Sequence, residues 1–189
     1  METIDEIEAP EAVLDFWLND VGPDRWYAVE DDVDNRITER FMATWRAAKN
    51  GDLDHWMLRP RHALALVILL DQFPRNMFRG SSVAFSSDGR ALCIAKKALS
   101  DGHDLKAAEP ERQFFYLPLM HSESLVDQDR CVRLFLTRMP QTGARNLPFA
   151  REHRDVIRQF GRFPYRNEAL GRRSTPAEQD FLKSYGDAA

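Results

Sequence analysis

The sequence predicts an all-α fold: a single domain, residues 1–189, of about seven or eight antiparallel helices. Three observations lead there. Apolar residues recur at helical spacing in nearly every segment, while clean two-residue alternation is scarce. Helix punctuation recurs with them, proline at first turns and glycine just past last turns. The connections are short, which makes consecutive helices antiparallel neighbours in a compact bundle or a short stack of helical hairpins. A chain of 189 residues, 43% of them hydrophobic, is long enough to bury one core.

Each element follows from local chemistry. The first helix is predicted over Pro10–Asn19, with Val13, Leu14, Trp17 and Leu18 as its apolar side and Gly22-Pro23 as its breaker. The second covers Asp32–Asn50: Val33, Ile37, Phe41 and Trp45 keep strict i, i+4 spacing, and Gly51 stands where a left-handed cap belongs. The third, Pro60–Phe73, is apolar all round from Ala63 to Leu70, so it must be covered on all sides and lie centrally. A fourth spans Asp88–Ser100 and ends at Gly102. A fifth begins at Pro110 and is kinked or ended by Pro118. The sixth runs over Ser124–Arg138 and the seventh over Leu147–Phe160, stopping at Gly161. The eighth opens on Thr175-Pro176-Ala177-Glu178, a capping box with proline at the first helical position. No strict 34-residue period marks a consensus repeat array.

Composition excludes several classes of function. A net charge of −4 offers no footprint for nucleic acid. The longest apolar run is eight residues, far short of a membrane span. The acidic stretch Met1–Glu11 lacks the cationic and apolar regions of a signal peptide. Two cysteines, Cys93 and Cys131, fit free thiols in a reducing compartment, so the expected location is the cytoplasm. The cations are lopsided, 21 Arg against 5 Lys. Arginine's planar fork suits specific pairing with carboxylate or phosphate, although composition bias alone also produces such a ratio. Trp26, Tyr27 and Trp56 stand outside the predicted helices and would mark an interface if exposed.

One phrase occurs twice. Phe73-Pro74-Arg75-Asn76 and Phe163-Pro164-Tyr165-Arg166-Asn167 each follow an apolar helical stretch. Each reads as a helix stopped by proline, with an arginine and an asparagine on the stop. On a helical wheel Asp71 falls with Leu64 and Val67 on a face that is to be buried. The helix dipole opposes an acid there. Asp71 therefore calls for a cation: Arg75 just past the turn, or Arg162 and Arg166 of the second copy. Asn76 suits a turn or a left-handed position. A structural brace and a polar pocket lined by Asp71, Gln72, Arg75 and Asn76 both satisfy this pattern.

Two further groups carry proton-transfer chemistry. His121-Ser122-Glu123-Ser124, followed by Asp127-Gln128, sits beside the break at Pro118. Ser124 as a helix cap and Asp127 against the helix dipole account for those two, and leave His121 and Glu123 as candidates for acid–base work. No second histidine follows at ligand spacing, so no metal site is assigned. On the seventh helix His153 falls in the middle of the apolar face of Phe149, Val156, Ile157 and Phe160, as a core residue or a catalyst. Arg151, Arg154 and Arg158 lie opposite, among Glu152 and Asp155, and read as a solvated face. If the second phrase folds against the first, Arg75, Asn76, Arg162, Arg166 and Asn167 would form an anion site. Equally, those arginines would satisfy helix carbonyls and buried acids.

Leu70-Asp71-Gln72-Phe73-Pro74-Arg75-Asn76, Tyr116-Leu117-Pro118 with His121-Ser122-Glu123, and Gly161-Arg162-Phe163-Pro164-Tyr165-Arg166-Asn167 together resemble an uncharacterised bacterial family, domain of unknown function 924. The resemblance runs from Val13-Leu14-Asp15-Phe16-Trp17 to Ser174-Thr175-Pro176. It implies an all-α fold of the tetratricopeptide-like superfamily, built from antiparallel helical pairs, and no established activity. The leading expectation is a helical binding module that holds an anionic small molecule or peptide through Asp71, Gln72, Arg75, Asn76, Arg162, Arg166 and Asn167. The alternative is a small hydrolase or lyase. There His121 or His153 acts as general acid/base, Glu123 or Asp71 orients it, and the arginines hold an anionic substrate. A third possibility is that the Arg/Asn segments only brace helices. No cofactor, nucleic acid or membrane partner is expected.

Overall fold

The computed structural model describes residues 6–186, which leaves the first five residues of the acidic N-terminal stretch outside it. Every regular element among the described residues is helical. Helix α1 (Pro10–Leu14) widens into a π-helical stretch, Asp15–Val21. The widening lets the Trp17 carbonyl accept the Gly22 N–H five residues on (3.2 Å) and the Trp26 indole N–H (2.7 Å). It thereby ties down the loop that follows.

Helix α2 (Asp31–Asn50) buries the stripe Val33, Ile37, Phe41 and Trp45, and ends at Gly51, whose φ of 102° is in the left-handed region. Helix α3 (Pro60–Asp71) is the axis of the core, with each residue from Ala63 to Leu70 no more than 1% exposed. Around it pack α1, α2, α5 (Asp88–Ser100) and the 3₁₀ turn Asp54–Leu58.

Helices α7 (Leu125–Arg138) and α8 (Gly143–Phe160) form an antiparallel hairpin on one side of that core. Their contact needs Gly143, because a Cβ there would sit 2.6 Å from the Phe135 carbonyl oxygen. A smaller apolar cluster of Val156, Ile157 and Phe163 joins α8, the 3₁₀ turn Pro164–Arg166 and α9 (Pro176–Gly186). Helix α9 opens with the expected capping box: the Thr175 N–H donates to Glu178 (2.7 Å) and the Glu178 N–H to the Thr175 hydroxyl (3.3 Å).

Several local expectations are corrected. The two Phe-Pro segments do more than follow helix ends, α3 closing at Asp71 and α8 at Phe160. Each proline begins a new turn, α4 (Phe73–Met77) in the first copy and Pro164–Arg166 in the second. Proline fits a first turn, where the missing N–H would be unpaired in any case. Asn76 is accordingly helical, and no non-glycine residue among the described ones has positive φ. The helix expected from Pro110 is a 3₁₀ turn, Glu111–Phe115, followed by the single-turn α6 (Leu117–Met120). Helix α8 begins at Gly143, a turn before the expected Leu147, and runs through Pro148. Ser124 does not cap α7 with its side chain; its N–H donates to the Ser122 hydroxyl (3.2 Å), and Ser122 bonds Asp127 (2.9 Å). Trp26 and Trp56 are buried, so of the three loop aromatics only Tyr27 is exposed.

Candidate active site

The site begins with the break between α3 and α4. Pro74 has no N–H for the Leu70 carbonyl, which instead accepts the hydroxyl of buried Ser87 (2.7 Å). The next carbonyl, that of Asp71, turns to the guanidinium of Arg75 (2.5 Å). Arg75 then grips Asp88, at the start of α5, with two bonds of 2.9 and 3.1 Å. The chain thus bends at a point where an acid and an arginine leave the same helix end.

Asp71 is 1% exposed, and its partner at hydrogen-bond distance is a histidine: His121 Nδ1 lies 2.8 Å from Asp71 Oδ1. Gln72 donates to the other oxygen (2.6 Å), and Arg75 lies 3.6 Å away. Burial by itself would raise the Asp71 carboxyl. The charges of His121 and Arg75, with the hydrogen bonds from His121 and Gln72, outweigh it and hold the group below the ordinary carboxylate range. Burial and the Arg75 charge push His121 below its usual value, against the pull of Asp71. With Asp71 ionised, the His121 Nδ1–H donates to it, and Nε2 keeps its lone pair. That Nε2 makes no hydrogen bond to the described residues and is not sealed from solvent. The backbone around His121 is held from α7, where fully buried Gln128 donates to the carbonyls of Met120 (2.6 Å) and Ser122 (2.8 Å).

His121 opens onto a cleft of two adjoining chambers, about 530 and 340 Å³, in the size range of small-molecule sites. Four residues line both: Arg75, Arg79, His121 and His153. They form the waist of the cleft. The larger chamber has a mostly apolar wall that includes Trp26, Tyr27, Leu117, Met120 and Phe149. Away from the waist its polar groups are mostly the carboxamides of Gln72, Asn76, Gln113 and Asn146, with Arg145, Thr142 and Tyr27. Tyr27 and Asn146 both donate to Gln113 Oε1 (2.6 and 2.8 Å), and the Gln113 amide is aimed by its own bond to the Pro110 carbonyl (2.9 Å). The smaller chamber adds Phe85 and Arg166. Among the described residues no aspartate or glutamate lines either chamber.

His153 reaches the waist from α8. Its Nδ1 donates to the Phe149 carbonyl (2.9 Å) and its ring meets Phe163 edge-on at 5.4 Å. Burial, with the nearby His121 and arginine charges, pushes it down to about 4 against the help of that hydrogen bond. At neutral pH it is an uncharged imidazole whose Nε2 is an acceptor. Phe149, expected in the core face of this helix, is 58% exposed and belongs to the cleft.

The sequence-predicted residues divide. Asp71, Gln72, Arg75, Asn76, His121, His153 and Arg166 gather at the cleft, with Asp71 just behind its wall. Asn76 spends its amide on Asp34 (2.8 Å), which also pairs with Arg79. Arg162, Asn167 and Glu123 lie elsewhere. Arg162 takes Glu178 of α9 in two bonds (2.6 and 2.8 Å), not Asp71. Asn167 links Ser174 (3.0 Å) and Arg172 (2.9 Å). Glu123 accepts the Phe163 N–H (2.8 Å) and two bonds from Arg172 (2.8 and 3.0 Å). Arg166 pairs with Asp88 (3.3 Å), not with Asp71. Gln113, Asn146, Arg145 and Asp88 were not singled out from sequence. Each comes from a different segment, and none has a spacing that marks it. Among the described residues no three or more His, Cys, Asp or Glu side chains cluster as a metal site, and no helix is long and apolar enough to cross a membrane.

The chain belongs to the family described as bacterial protein of unknown function (DUF924), whose model matches residues 13–186. It is also similar to a solved structure, that of the protein of unknown function ATU0120 from Agrobacterium tumefaciens. The two share 39% sequence identity at a TM-score of 0.86, over 93% of this chain and 97% of that one. No curated protein matches the sequence.

Proposed function

We propose that this protein is a small-molecule enzyme of the hydrolase or lyase type, working by general acid–base catalysis at His121. The observation that carries this is the Asp71–His121 pair: a buried acid on Nδ1 of a histidine whose Nε2 is left open at the waist of a cleft. A module that only binds has no need of a desolvated base oriented by a buried carboxylate.

In hydrolysis, Nε2 would take a proton from water as its oxygen adds to the substrate. Asp71 would steady the resulting imidazolium, and the same proton would pass to the leaving group. In elimination Nε2 would take a substrate proton directly. Arg75 is placed to hold substrate oxygen, and His153, neutral with Nδ1 committed, is placed to accept a substrate hydrogen bond. Glu123 has no part in this scheme, since Arg172 and the Phe163 backbone occupy it. The chamber volumes, about 530 and 340 Å³, suit a small molecule better than a peptide. The free thiols of Cys93 and Cys131 support a cytoplasmic location, and the antiparallel α7–α8 hairpin supports the tetratricopeptide-like superfamily implied by the family resemblance.

The test is turnover of a panel of carboxylate- and phosphate-bearing esters and amides, and of β-substituted acids for elimination. His121→Asn is expected to lower any turnover by about 10²–10⁴-fold with the thermal midpoint nearly unchanged. Turnover that is absent throughout, or indifferent to His121→Asn, returns the protein to the binding-module reading.

A further inference from the structure

Arg166 is in an unusual position for a charged side chain. It is 7% exposed and lies between the rings of Phe85 and Phe163, with its guanidinium carbon 4.7 and 4.5 Å from their centroids. Its one side-chain hydrogen bond among the described residues is a long one, Nη1 to Asp88 Oδ2 at 3.3 Å. Nε is buried without a partner. The acceptor is already shared, because Asp88 takes two shorter bonds from Arg75. A guanidinium has five N–H donors, and leaving even one of them buried and unused is costly. Stacking between two rings positions this fork without satisfying it. Burial and the neighbouring Arg75 accordingly push Arg166 below the usual arginine value, against the pull of Asp88.

Formal charge in this cluster is balanced, with Arg75 and Arg166 against Asp71 and Asp88, but it is not evenly placed. Both acids stand behind the wall, and both arginines line the smaller chamber. A ligand there meets the cationic end of each pair. Beyond the waist, where Arg75 and Arg79 border both chambers, the larger chamber is aromatic and aliphatic with carboxamides, and its one cation without an ion pair among the described residues is Arg145. The two chambers meet at His121 and His153.

We propose that the cleft takes an amphipathic oxyanion, with a carboxylate or phosphate head against Arg166 in the smaller chamber and an uncharged apolar body in the larger one. The acid–base proposal is used for one point only, that the reacting bond lies at the waist between head and body. The binding claim rests on the arginine and the two walls.

The experiment is calorimetric titration of the full chain with phosphate and acetate as heads alone, phenyl phosphate and phenylacetate as heads with a body, and benzyl alcohol as a body alone. Joined ligands should bind at least about tenfold more tightly than their heads alone, and Arg166→Gln should remove about tenfold or more of that affinity. Arg145→Gln should change it by no more than about threefold. The phosphate and acetate series decide which head is preferred. If Arg166→Gln does not fold, the imidazole resonances of His121 and His153 are followed in the wild-type protein during the phenyl phosphate and phenylacetate titrations; both should move. Equal affinity in wild type and Arg166→Gln, loss confined to Arg145→Gln, benzyl alcohol binding as well as the joined ligands, or still histidine resonances would each overturn the proposal. Binding as expected with no His121-dependent turnover would sink the enzyme and leave this site standing. Turnover without Arg166-dependent binding would do the reverse.

Discussion

The two Phe-Pro segments start alike and end in different work. Both bury their phenylalanine completely, and both use proline to open a helical turn. In the first, Asp71, Gln72 and Arg75 all turn toward one point, because the break after α3 frees two carbonyls and Arg75 folds back onto one of them. In the second, the polar groups scatter. Arg162 braces α9 through Glu178, Asn167 ties the loop to Ser174 and Arg172, and only Tyr165 and Arg166 reach the cleft among the described residues of the segment. The same short phrase therefore makes a site at one place and mostly a clasp at the other. What differs is what stands opposite: His121 and an open chamber in one case, a capping box and its loop in the other.

The sharpest way to break that contrast is at Asp71. Asp71→Ala leaves Arg75 and His121 without the buried acid between them, and should cost about 3–5 kcal/mol in urea unfolding. A loss under about 1 kcal/mol would mean that the first segment is as dispensable a brace as the second.

The junction of the two segments, where His153 packs on Phe163 and faces Arg75, is tested by pH. Its folded value of about 4 lies below the ordinary 6.5, so between those two values the unfolded chain binds more protons. Stability should therefore fall as pH drops from about 6.5 toward 4 and be level above that window, and His153→Gln should flatten the fall. A His153 resonance titrating near 6.5 would show the ring to be freely solvated.

The smallest effect belongs to the clasp. Asn167→Ala removes bonds to Ser174 and Arg172 and should cost about 1 kcal/mol, with binding to the cleft unchanged. A change in ligand affinity as large as that of Arg166→Gln would place the second segment in the site as a whole.

Much of this was legible beforehand, and unevenly so. The burial of Asp71 was readable because a helix apolar on all sides leaves no solvated face for an acid. Its ion pair with Arg75, 3.6 Å away, was readable too; its hydrogen-bond partner across the fold was not. An acid at a helix end asks for a cation, and the nearby arginines answered that request on paper. In the fold Arg162 has Glu178 and Arg166 has Asp88, and the hydrogen-bond partner is a histidine 50 residues away. His153 and Phe149 were both assigned to an apolar helix face correctly by spacing, yet that face is half core and half cleft, a division that periodicity cannot make. Gln113 and Asn146 carried no mark, since an amide side chain has the same local signature whether it meets water or a ligand.

The sequence by itself determined the helical class, the central place of α3, the caps at Gly51 and Thr175, and the polar chemistry at the two Phe-Pro segments. These follow from interactions within about one or two helical turns, which residue order states directly. Only the tertiary structure decided which arginines have charge partners, which histidine takes Asp71, and where a cleft remains between α4, α6, α8 and the 22–28 loop. Those outcomes depend on contacts between separate elements, from 13 residues apart for Arg75 with Asp88 to 50 for Asp71 with His121 and 78 for Asp88 with Arg166. They are settled by which side chains the packed helices bring within about 3 Å of one another, a distance no local pattern encodes.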